Sequence, residues 1–285
     1  MFEIKSLAGF EFDFLFEAFA RAFAEYEIQP DKTELAKMLH RRGFVPELSF
    51  GAFENGVLVS FTFNGIGTYN GVKTAYDTGT GTLNEYRGQG LASKVFNESI
   101  PFLIKAGIEQ YLLEVLQHNT SAVSVYKKQG FEVTREFNYF VQEIQDLTPY
   151  SKSANKDYSI SEIIFKDLDD VTGWWDFTPS WQNSFEAINR KAEDFVVIGA
   201  KKDNTLVGYG IIEPSTGDIT QIAINRNHRG NGVGNSILKE LIKRNNYISI
   251  KLINSDISCD AITNLLAKNG ILLKGKQFEM VKKLI

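Results

Sequence analysis

Apolar residues follow two kinds of spacing along the chain. One is typical of helices and the other of strands. Apolar side chains recur at helical spacing over residues 10–24, and a second helical stretch covers 32–42. The segment 47–65 consists of two short apolar runs around Asn55 and Gly56, a pair that favours a β-hairpin turn. The apolar face of the first helix is formed by Phe12, Leu15, Phe16, Phe19 and Phe23.

The remainder of the first half continues this mixture of strands and helices. A short strand is predicted at its start, and Asn70 and Gly71 predict a turn before a strand over 72–83. The helix that follows residue 90 should be kinked or ended by Pro101. The later elements are a buried strand at 110–117, a helix at 121–130 that stops at Gly130, and a strand at roughly 132–141.

The second half repeats this pattern. Similar elements follow in a similar order, so each half is predicted to be a mixed α/β unit in which helices cover a sheet. The matching pieces are strands at 194–202, 205–212 and 218–225, a helix from Gly230, a strand at 247–253, a helix at 260–270 and a strand at 272–284.

Two arginine-glycine turns mark equivalent points of the halves. The segments EYRGQGLASKVF (85–96) and NHRGNGVGNSIL (227–238) place their arginines 142 residues apart. Downstream, YKKQGF (126–131) has a weaker counterpart in LAKNGI (266–271). Because two features recur in the same order at nearly the same separation, we predict a duplicated domain.

The composition changes between the two halves. The stretch around Pro149 is rich in serine and lacks apolar periodicity, which is typical of a linker. We therefore predict an N-terminal domain at 1–148, a linker at 149–157 and a C-terminal, diverged domain at 158–285.

Composition and charge exclude several classes of protein. Of the 285 residues, 43% are hydrophobic and 23% charged, which is typical of a globular protein with a sizeable core. Residues 1–150 hold 13 basic and 19 acidic side chains (−6) and the rest 18 and 16 (+2), so neither half has the basic surface of a nucleic-acid-binding protein.

One cysteine, Cys259, excludes an intramolecular disulfide, and the three histidines have no metal-ligand spacing. No apolar run approaches the ~20 residues of a membrane span, and the acidic N-terminal segment is unlike a signal peptide, so we predict a cytoplasmic protein without membrane or nucleic-acid partners.

An arginine-glycine turn between a strand and a helix can hold a phosphate group. Free N–H groups at the helix N-terminus and the helix dipole favour an anion, and glycines at 88 and 90 would let a diphosphate approach the backbone. A lone glycine pair more often makes a tight connection, but two copies at matching places favour binding. The dinucleotide fingerprint and the P-loop have no matching string.

The segments RGQGLA (87–92) and RGNGVG (229–234) resemble the [Q/R]-x-x-G-x-[G/A] motif of the GNAT superfamily of N-acetyltransferases. Residues 112–131 are similar to that family's next strand and its Asn…Tyr-x-x-x-Gly-Phe helix. The resemblance covers nearly the whole chain and implies an α/β fold (an α+β mixed sheet) with two tandem GNAT-like acyl-CoA N-acyltransferase domains. It also implies acetyl-CoA as co-substrate, with its pyrophosphate on the glycine turn and its pantetheine arm along the preceding strand, and no metal.

The resemblance assigns residues of both halves to acetyl-CoA. In the first half these are Leu83, Arg87, Gly88, Gln89, Gly90, Leu91, Ala92, Ser93 and Asn119. In the second half they are Ile224, Arg229, Gly230, Asn231, Gly232, Val233 and Gly234.

Acetyl transfer to an amine needs a proton acceptor for the amine and a proton donor for the leaving thiolate. The resemblance implies Tyr126 as the donor, although a tyrosine at this place can also simply pack between helix and sheet. Asp77 is our candidate general base, with Glu114 and His118 as alternatives.

The second half departs from the family pattern. Leu266 stands where the first half has Tyr126, and a leucine donates no proton, so transfer by this half is in doubt. Its strand carries Asp218 eleven residues before the arginine, whereas Asp77 precedes its arginine by ten, which places the two on opposite faces unless a β-bulge intervenes.

The acceptor pocket is the least defined part of the prediction. Glu25 and Tyr26 follow the first helix and would favour a cationic acceptor, although an acidic helix end is commonly just solvated. All three tryptophans lie within WWDFTPSWQNS (174–184). Such a cluster is typical of the wall of a ligand pocket, of a contact between domains or of an ordinary hydrophobic core.

These observations predict a tandem acetyltransferase that transfers acetyl from acetyl-CoA to a primary amine by direct attack. The acceptor is predicted to be a small-molecule or peptide amine, and the protein a monomer with an internal pseudo-dimer or a homodimer. The alternative is a non-catalytic acyl-CoA binding or sensing protein with two such modules, against which Tyr126 argues.

Overall fold

The computed structural model of the chain describes residues 2–25, 29–148 and 153–285. Tyr26 and residues 149–152 of the predicted linker lie outside this part of the chain. Two compact units are present, one formed by Met1–Thr134 with Phe278–Ile285 and the other by Arg135–Gln277. The limits 1–148 and 158–285, which describe the two copies of the predicted duplication, stay a prediction.

The first unit is a mixed sheet covered by helices, as the alternation of patterns predicts. Its strands follow the order β1-β2-β3-β4-β5-β12, where β4 and β5 are parallel. Its elements are β1 (Glu3–Ser6), α1 (Phe12–Ala22), α2 (Lys32–Arg42), β2 (Phe50–Glu54), β3 (Val57–Tyr69), β4 (Val72–Thr82), α3 (Leu91–Lys105), β5 (Gln110–Leu116), α4 (Thr120–Lys128) and the end of β12 (Leu272–Lys283).

Local signals in the sequence set these boundaries. Asn55 and Gly56 both have positive φ, and so do Asn70 and Gly71, which confirms the two predicted hairpin turns. Helix α2 begins with a capping box between Asp31 and Glu34 and ends at Gly43 in the left-handed conformation.

Helix α3 continues beyond the proline that was predicted to kink or end it. The helix runs through Pro101 and ends four residues later, at Lys105, so this proline does not end it. Phe96 and Leu103, one before and one after the proline, are both buried and pack in the same cluster. Tertiary packing of this apolar face outweighs the local cost of the proline.

Aromatic side chains of α1 fix that helix on the sheet. Phe19 stacks on Phe63, with ring centroids 6.3 Å apart, and Phe63 stacks on Phe61 at 4.4 Å. All three rings are buried. The helical apolar stripe of α1 therefore covers β3 where Phe61 and Phe63 pair with Gly81 and Gly79 of β4.

The second unit contains a similar sheet with a different cover. Its strand order is β6-β11-β10-β9-β8-β7, and β10 and β11 are its parallel pair. Where the first unit has α1 and α2, this unit has short 3-10 turns at Val171–Trp174 and Trp181–Asn183 and one brief helix. Its elements are β6 (Glu132–Glu143), β7 (Tyr158–Ile163), α5 (Phe185–Asn189), β8 (Val196–Lys202), β9 (Thr205–Glu213), β10 (Asp218–Ile224), α6 (Val233–Arg244), β11 (Ser249–Asp256) and α7 (Asp260–Lys268).

A helix that spans a membrane must be both long and apolar. Among residues 2–25, 29–148 and 153–285, no helix is long and apolar enough to cross a bilayer.

Candidate functional site

Strand β4 carries a β-bulge at Thr78. The register with β3 shifts at this point, so Thr78 is the extra residue. The carboxylate of the preceding residue, Asp77, folds back on the bulge, where it accepts the N–H of Gly79 and the hydroxyl of Thr80, each at 2.9 Å. The bulge thereby holds the Asp77 side chain in one orientation.

Helix α4 brings Tyr126 to this carboxylate. Asn119 caps the helix by accepting the N–H of Ala122 at 3.2 Å, which sets where the helix begins. The Tyr126 ring packs edge-on against Phe131 with centroids 5.6 Å apart, and its hydroxyl donates to Asp77 Oδ2 at 3.3 Å. The two predicted catalytic residues are therefore in contact.

The environment of Asp77 changes its acidity. Burial raises the pKa of this carboxyl from 3.8 to about 6, because the charged form loses solvation. Hydrogen bonds from Thr80, the Gly79 N–H and Tyr126 act in the opposite direction without cancelling the effect. A carboxylate with this pKa is ionised at neutral pH and still a useful proton acceptor.

The Asp77–Tyr126 pair lies in the wall of a cavity of about 390 Å³. The cavity contains polar and aromatic groups from β3, β4, β5, α3 and α4. Its lining residues are Thr62, Asp77, Thr80, Arg87, Ala92, Phe96, Tyr111, Asn119, Ser121, Ala122, Val125, Tyr126, Gln129 and Phe131.

The glycine turn of the first unit is open. Gly88 and Gly90 both have positive φ, and a Cβ built on either would have no atom of the described chain within 4 Å. Gly90 is the N-cap of α3, so the helix N-terminus faces this open space. The turn has both the space and the donors that a diphosphate needs.

Strands β4 and β5 separate beside this turn. Their parallel pairing ends at Tyr76 and Leu112, although β4 continues to Thr82 and β5 to Leu116. Strands that diverge leave backbone groups without a ladder partner in each other, so an extended chain can pair between them. The residues present thus fit an acyl-CoA, with its diphosphate on the turn and its arm between the strands.

Arg87 holds the turn to helix α1. Its guanidinium donates to the carbonyls of Thr82 and Ala22, at 3.2 and 2.9 Å, and pairs with the Glu25 carboxylate at 3.1 Å. The predicted acceptor residue Glu25 is thus an exposed ion-pair partner of the predicted cofactor residue Arg87. Its side chain remains 65% exposed, so it is also accessible to solvent.

The other residues assigned to acetyl-CoA fall into two groups. Leu83 and Leu91 are buried, and the N–H of Leu83 already donates to Val59. Gln89 is exposed on the turn, while Ala92 and Ser93 lie half-buried in the first helical turn of α3. The side-chain oxygen of Asn119 is used by the α4 cap, although the residue also lines the cavity.

The alternative bases are placed differently from Asp77. Glu114 accepts a hydrogen bond from the Tyr76 hydroxyl, and both side chains lie on the face of the sheet opposite Asp77. His118 is exposed beyond the end of β5. Neither residue is among those that line the cavity of the Asp77–Tyr126 pair.

The second unit has an equivalent bulge with different residues around it. Thr220 is the extra residue of β10, and it lies nine residues before Arg229, as Thr78 lies nine before Arg87. A bulge therefore does not reconcile the two aspartates, because both strands carry it at the same place. Ile219, which is buried, stands at the position of Asp77, and Leu266, also buried, stands at that of Tyr126.

The second arginine makes the same set of contacts as the first. Arg229 donates to the carbonyls of Ile224 and Trp174, at 3.0 and 2.9 Å, and pairs with Asp176 at 2.8 Å. In the turn itself Asn231 bonds back to the carbonyls of residues 228 and 229. The residues Ile224, Arg229, Gly230, Gly232, Val233 and Gly234 line a cavity of this unit.

The two glycines of the second turn differ from each other. Gly230 is open, whereas a Cβ on Gly232 would lie 2.5 Å from the carbonyl oxygen of Ser153. The backbone of the predicted linker therefore passes directly over the second turn.

Sequence analysis missed the groups that orient Asp77. These are the Gly79 N–H and the Thr80 hydroxyl. An aspartate whose side chain accepts the N–H two residues later is a common local turn, so the string Asp-Thr-Gly-Thr (77–80) was an available signal. The contact of Ser153 with Gly232 had no such signal because it joins residues far apart in sequence.

A metal centre would need several ligating side chains close together. Within the part of the chain that the structure describes, no group of three or more His, Cys, Asp or Glu side chains is arranged to hold a metal ion.

Both halves of the chain match one known protein family. A family model described as the acetyltransferase (GNAT) family matches residues 12–131 and 160–246. The chain is 29% identical over 119 residues to N-alpha-acetyltransferase 30 of Schizosaccharomyces pombe, covering 40% of this chain and 79% of that protein. It is 28% identical over 97 residues to N-alpha-acetyltransferase MAK3 of Arabidopsis thaliana, covering 34% of this chain and 51% of that protein.

Solved structures resemble the chain over its full length. A tandem GNAT protein from the clavulanic acid biosynthesis pathway has a TM-score of 0.76 and 13% identity, over 100% of this chain and 99% of that chain. A GCN5-related N-acetyltransferase from Sphaerobacter thermophilus has a TM-score of 0.72 and 13% identity, over 99% and 96%. At this identity the likeness shows the fold, and it confirms the predicted pair of mixed α/β domains.

Proposed function

Because the chain belongs to the GNAT acetyltransferase family, we propose that its first unit transfers an acetyl group from acetyl-CoA to a primary amine by direct attack. One observation carries this proposal: a carboxylate of raised pKa and a tyrosine hydroxyl, 3.3 Å apart, share a cavity beside an open glycine turn. The turn holds the donor substrate, and the pair handles the protons.

The residues of the first unit fit acetyl-CoA as co-substrate. When bound, it supplies an acetyl group activated as a thioester. Gly88 and Gly90 leave room for its diphosphate, and the N-terminus of α3 stabilises the negative charge. The separated ends of β4 and β5 hold the arm and so position the thioester near Asp77 and Tyr126.

Asp77 and Tyr126 then perform the two proton transfers. The protonated amine first releases one proton to water, which frees its lone pair. As the nitrogen forms its bond to the thioester carbon, Asp77 accepts a second proton from it, directly or through one water. Tyr126 donates its phenolic proton to the leaving sulfur as the carbon–sulfur bond breaks. The hydrogen bond between the two side chains returns the proton from Asp77 to the tyrosinate, which restores both groups.

The acceptor is inferred more broadly than the donor. The relatives' names specify N-alpha-acetyltransferases, which favours the α-amine of a peptide or a small molecule as acceptor here. The exposed carboxylate of Glu25 pairs with Arg87, so it would attract a protonated amine to the cavity when that ion pair opens. Tyr26, the monomeric or homodimeric state and the cytoplasmic location stay predictions of the sequence.

Replacement of Tyr126 by phenylalanine tests the proposal. Tyr126→Phe should lower kcat by ~10²–10⁴-fold and leave acetyl-CoA affinity nearly intact, because only the proton donor is lost. Tyr86→Phe is the matched control, since Tyr86 donates to Glu54 at 2.7 Å in the same unit and lies outside the cavity. Steady-state release of free thiol with a panel of amines measures kcat, and calorimetry measures binding.

Two results would contradict the proposal. A Tyr126→Phe variant with the turnover of the wild type would assign Tyr126 to packing. Binding of acetyl-CoA by the wild type without turnover on any amine of the panel would favour a sensing protein over an enzyme.

A further inference from the structure

The second unit contains a cavity of about 310 Å³, which is within the range of small-molecule sites. Two tryptophans, Trp174 and Trp175, form part of its wall. About half of the remaining lining side chains are apolar, and they include Phe177, Ile222, Val233, Leu252, Ile262 and Leu265. Together with the tryptophans, these side chains favour a ligand with hydrophobic surface.

The space over Gly232, which corresponds to Gly90 of the first unit, is taken by the chain itself. The carbonyl of Ser153 lies over Gly232, so close that no side-chain atom would fit between them. Ala154 donates its N–H to Ser236 Oγ of α6 at 2.8 Å, and Lys239 donates to Ser153 Oγ at 3.2 Å. At Gly90 of the first unit the equivalent space is open. A ligand that enters the second cavity therefore lacks the diphosphate position that the first unit offers.

The charges around the cavity do not select a charged ligand. Arg229 is paired with Asp176, and it also donates to two backbone carbonyls. Lys268 is the other lysine or arginine in the described lining, and it is exposed. A neutral ligand keeps the Arg229–Asp176 pair intact, whereas an anion would compete with Asp176 for the same guanidinium.

A chain of hydrogen bonds runs from the cavity wall at Trp175 into the buried interior of the unit. Trp175 Nε1 donates to the Tyr209 hydroxyl, which donates to Gln221 Oε1, each at 2.6 Å. The amide of Gln221 continues to the carbonyl of Asn183, also at 2.6 Å. This chain of hydrogen bonds holds the Trp175 ring in place and so preforms the aromatic wall.

The groups that perform proton transfer in the first unit are replaced by apolar ones. Ile219 and Leu266 occupy the positions of Asp77 and Tyr126 and are fully buried. Neither residue is among those that line the cavity, so a ligand held there meets no acid or base at these two positions. The cavity can therefore hold a molecule, but it lacks the acid and base that would take part in converting it.

We propose that the cavity of the second unit binds a neutral, aromatic or branched aliphatic small molecule without a diphosphate. Trp174 and Trp175 form its aromatic wall, and the segment Ser153–Ala154 excludes acyl-CoA from the turn. This site is separate in sequence and in chemistry from the acetyl-CoA site of the first unit. The inference therefore stands whether or not the first unit proves catalytic.

The neutral fluorophore N-phenyl-1-naphthylamine is a suitable probe for the full-length chain. All three tryptophans lie in the second unit, so energy transfer from tryptophan to the probe reports binding there. We expect saturable binding of one probe per chain, unchanged by acetyl-CoA and unchanged in Gly90→Glu. No saturable binding, or displacement of the probe by acetyl-CoA in Gly90→Glu, would overturn the proposal.

Two variants locate the probe. Ile262→Arg places a charge on a buried lining residue and should weaken probe binding at least ~10-fold, while acetyl-CoA affinity is retained. Ile248→Arg, at a position that is 69% exposed and outside the cavity, is the matched control. Ala261→Trp narrows the cavity from an exposed lining position, so it provides the same test if Ile262→Arg fails to fold. Wild-type probe affinity in Ala261→Trp and in any folded Ile262→Arg would contradict the assignment.

Discussion

Replacement of Asp77 by asparagine should make the protein more stable and less active. The carboxylate is buried against the bulge of β4, and burial raises its pKa to about 6. The uncharged amide of asparagine has nearly the same shape and can still accept the N–H of Gly79 through its carbonyl oxygen. The substitution therefore removes the buried charge with little change in packing.

The size and sign of the effect follow from proton linkage. The folded pKa of about 6 is above the unfolded value of 3.8, so protonation of Asp77 favours the folded chain. This contribution is fully present below the unfolded pKa and is lost as pH rises through the folded pKa. The difference between the folded and unfolded pKa corresponds to about 3 kcal/mol of lost stability above pH ~7. This value is the upper limit for the gain in the free energy of unfolding in Asp77→Asn. Near pH ~4 the gain should fall below ~1 kcal/mol.

Urea unfolding of both proteins over this pH range, followed by circular dichroism, measures the gap in stability. Asp13→Asn, at an exposed carboxylate on α1, controls for the loss of one negative charge. Activity of Asp77→Asn should be reduced at every pH, because the proton acceptor is gone. A stability gap that stays constant across the pH range would refute the reasoning and show that burial does not govern this carboxyl.

Three further predictions concern the turn, the second unit and the pH profile. Gly90→Glu should abolish acetyl-CoA binding in calorimetric titration, since it adds bulk and negative charge on the diphosphate position, whereas Gly56→Glu, at an equally open glycine of a hairpin, should retain it. Leu266→Ala should cost ~2–5 kcal/mol of stability in thermal unfolding and leave kcat of the folded protein unchanged, and a fall in kcat would assign the second unit a chemical role. The kcat/KM of the wild type should rise through about pH 6 as Asp77 ionises, and a flat profile there would exclude it as the base.

The elements with strong local signals were predictable from the sequence. Asparagine-glycine pairs marked the hairpins, and the period of apolar residues marked α1 and α2, because in both cases neighbours along the chain determine the geometry. Pro101 shows the limit of such signals. Its local preference is against a helix interior, yet burial of Phe96 and Leu103 on the same helix outweighs it.

The candidate site was predictable only in part. Asp77 and Tyr126 were each predicted as a catalytic residue, but their contact was not predicted. The bulge that brings them together depends on the register between two strands. No periodicity encodes that register locally. The cover of Gly232 by Ser153 depends on the path of a serine-rich stretch whose sequence carries no apolar pattern, so it could not be predicted at all.

Arg87 and Arg229 make equivalent contacts in two units that differ at the positions of the candidate acid and base. Each bonds a carbonyl five residues earlier, a carbonyl of the segment that covers the sheet, and a carboxylate of that same segment. One of these units pairs Asp77 with Tyr126, and the other has Ile219 and Leu266 in their places. Since the arginine contacts persist where the acid and base are absent, they serve the architecture of the turn. The repeated motif therefore identifies the fold of both units, and only the residues at the bulge and on the following helix distinguish the unit that we propose to transfer protons from the one with Ile219 and Leu266 in their places.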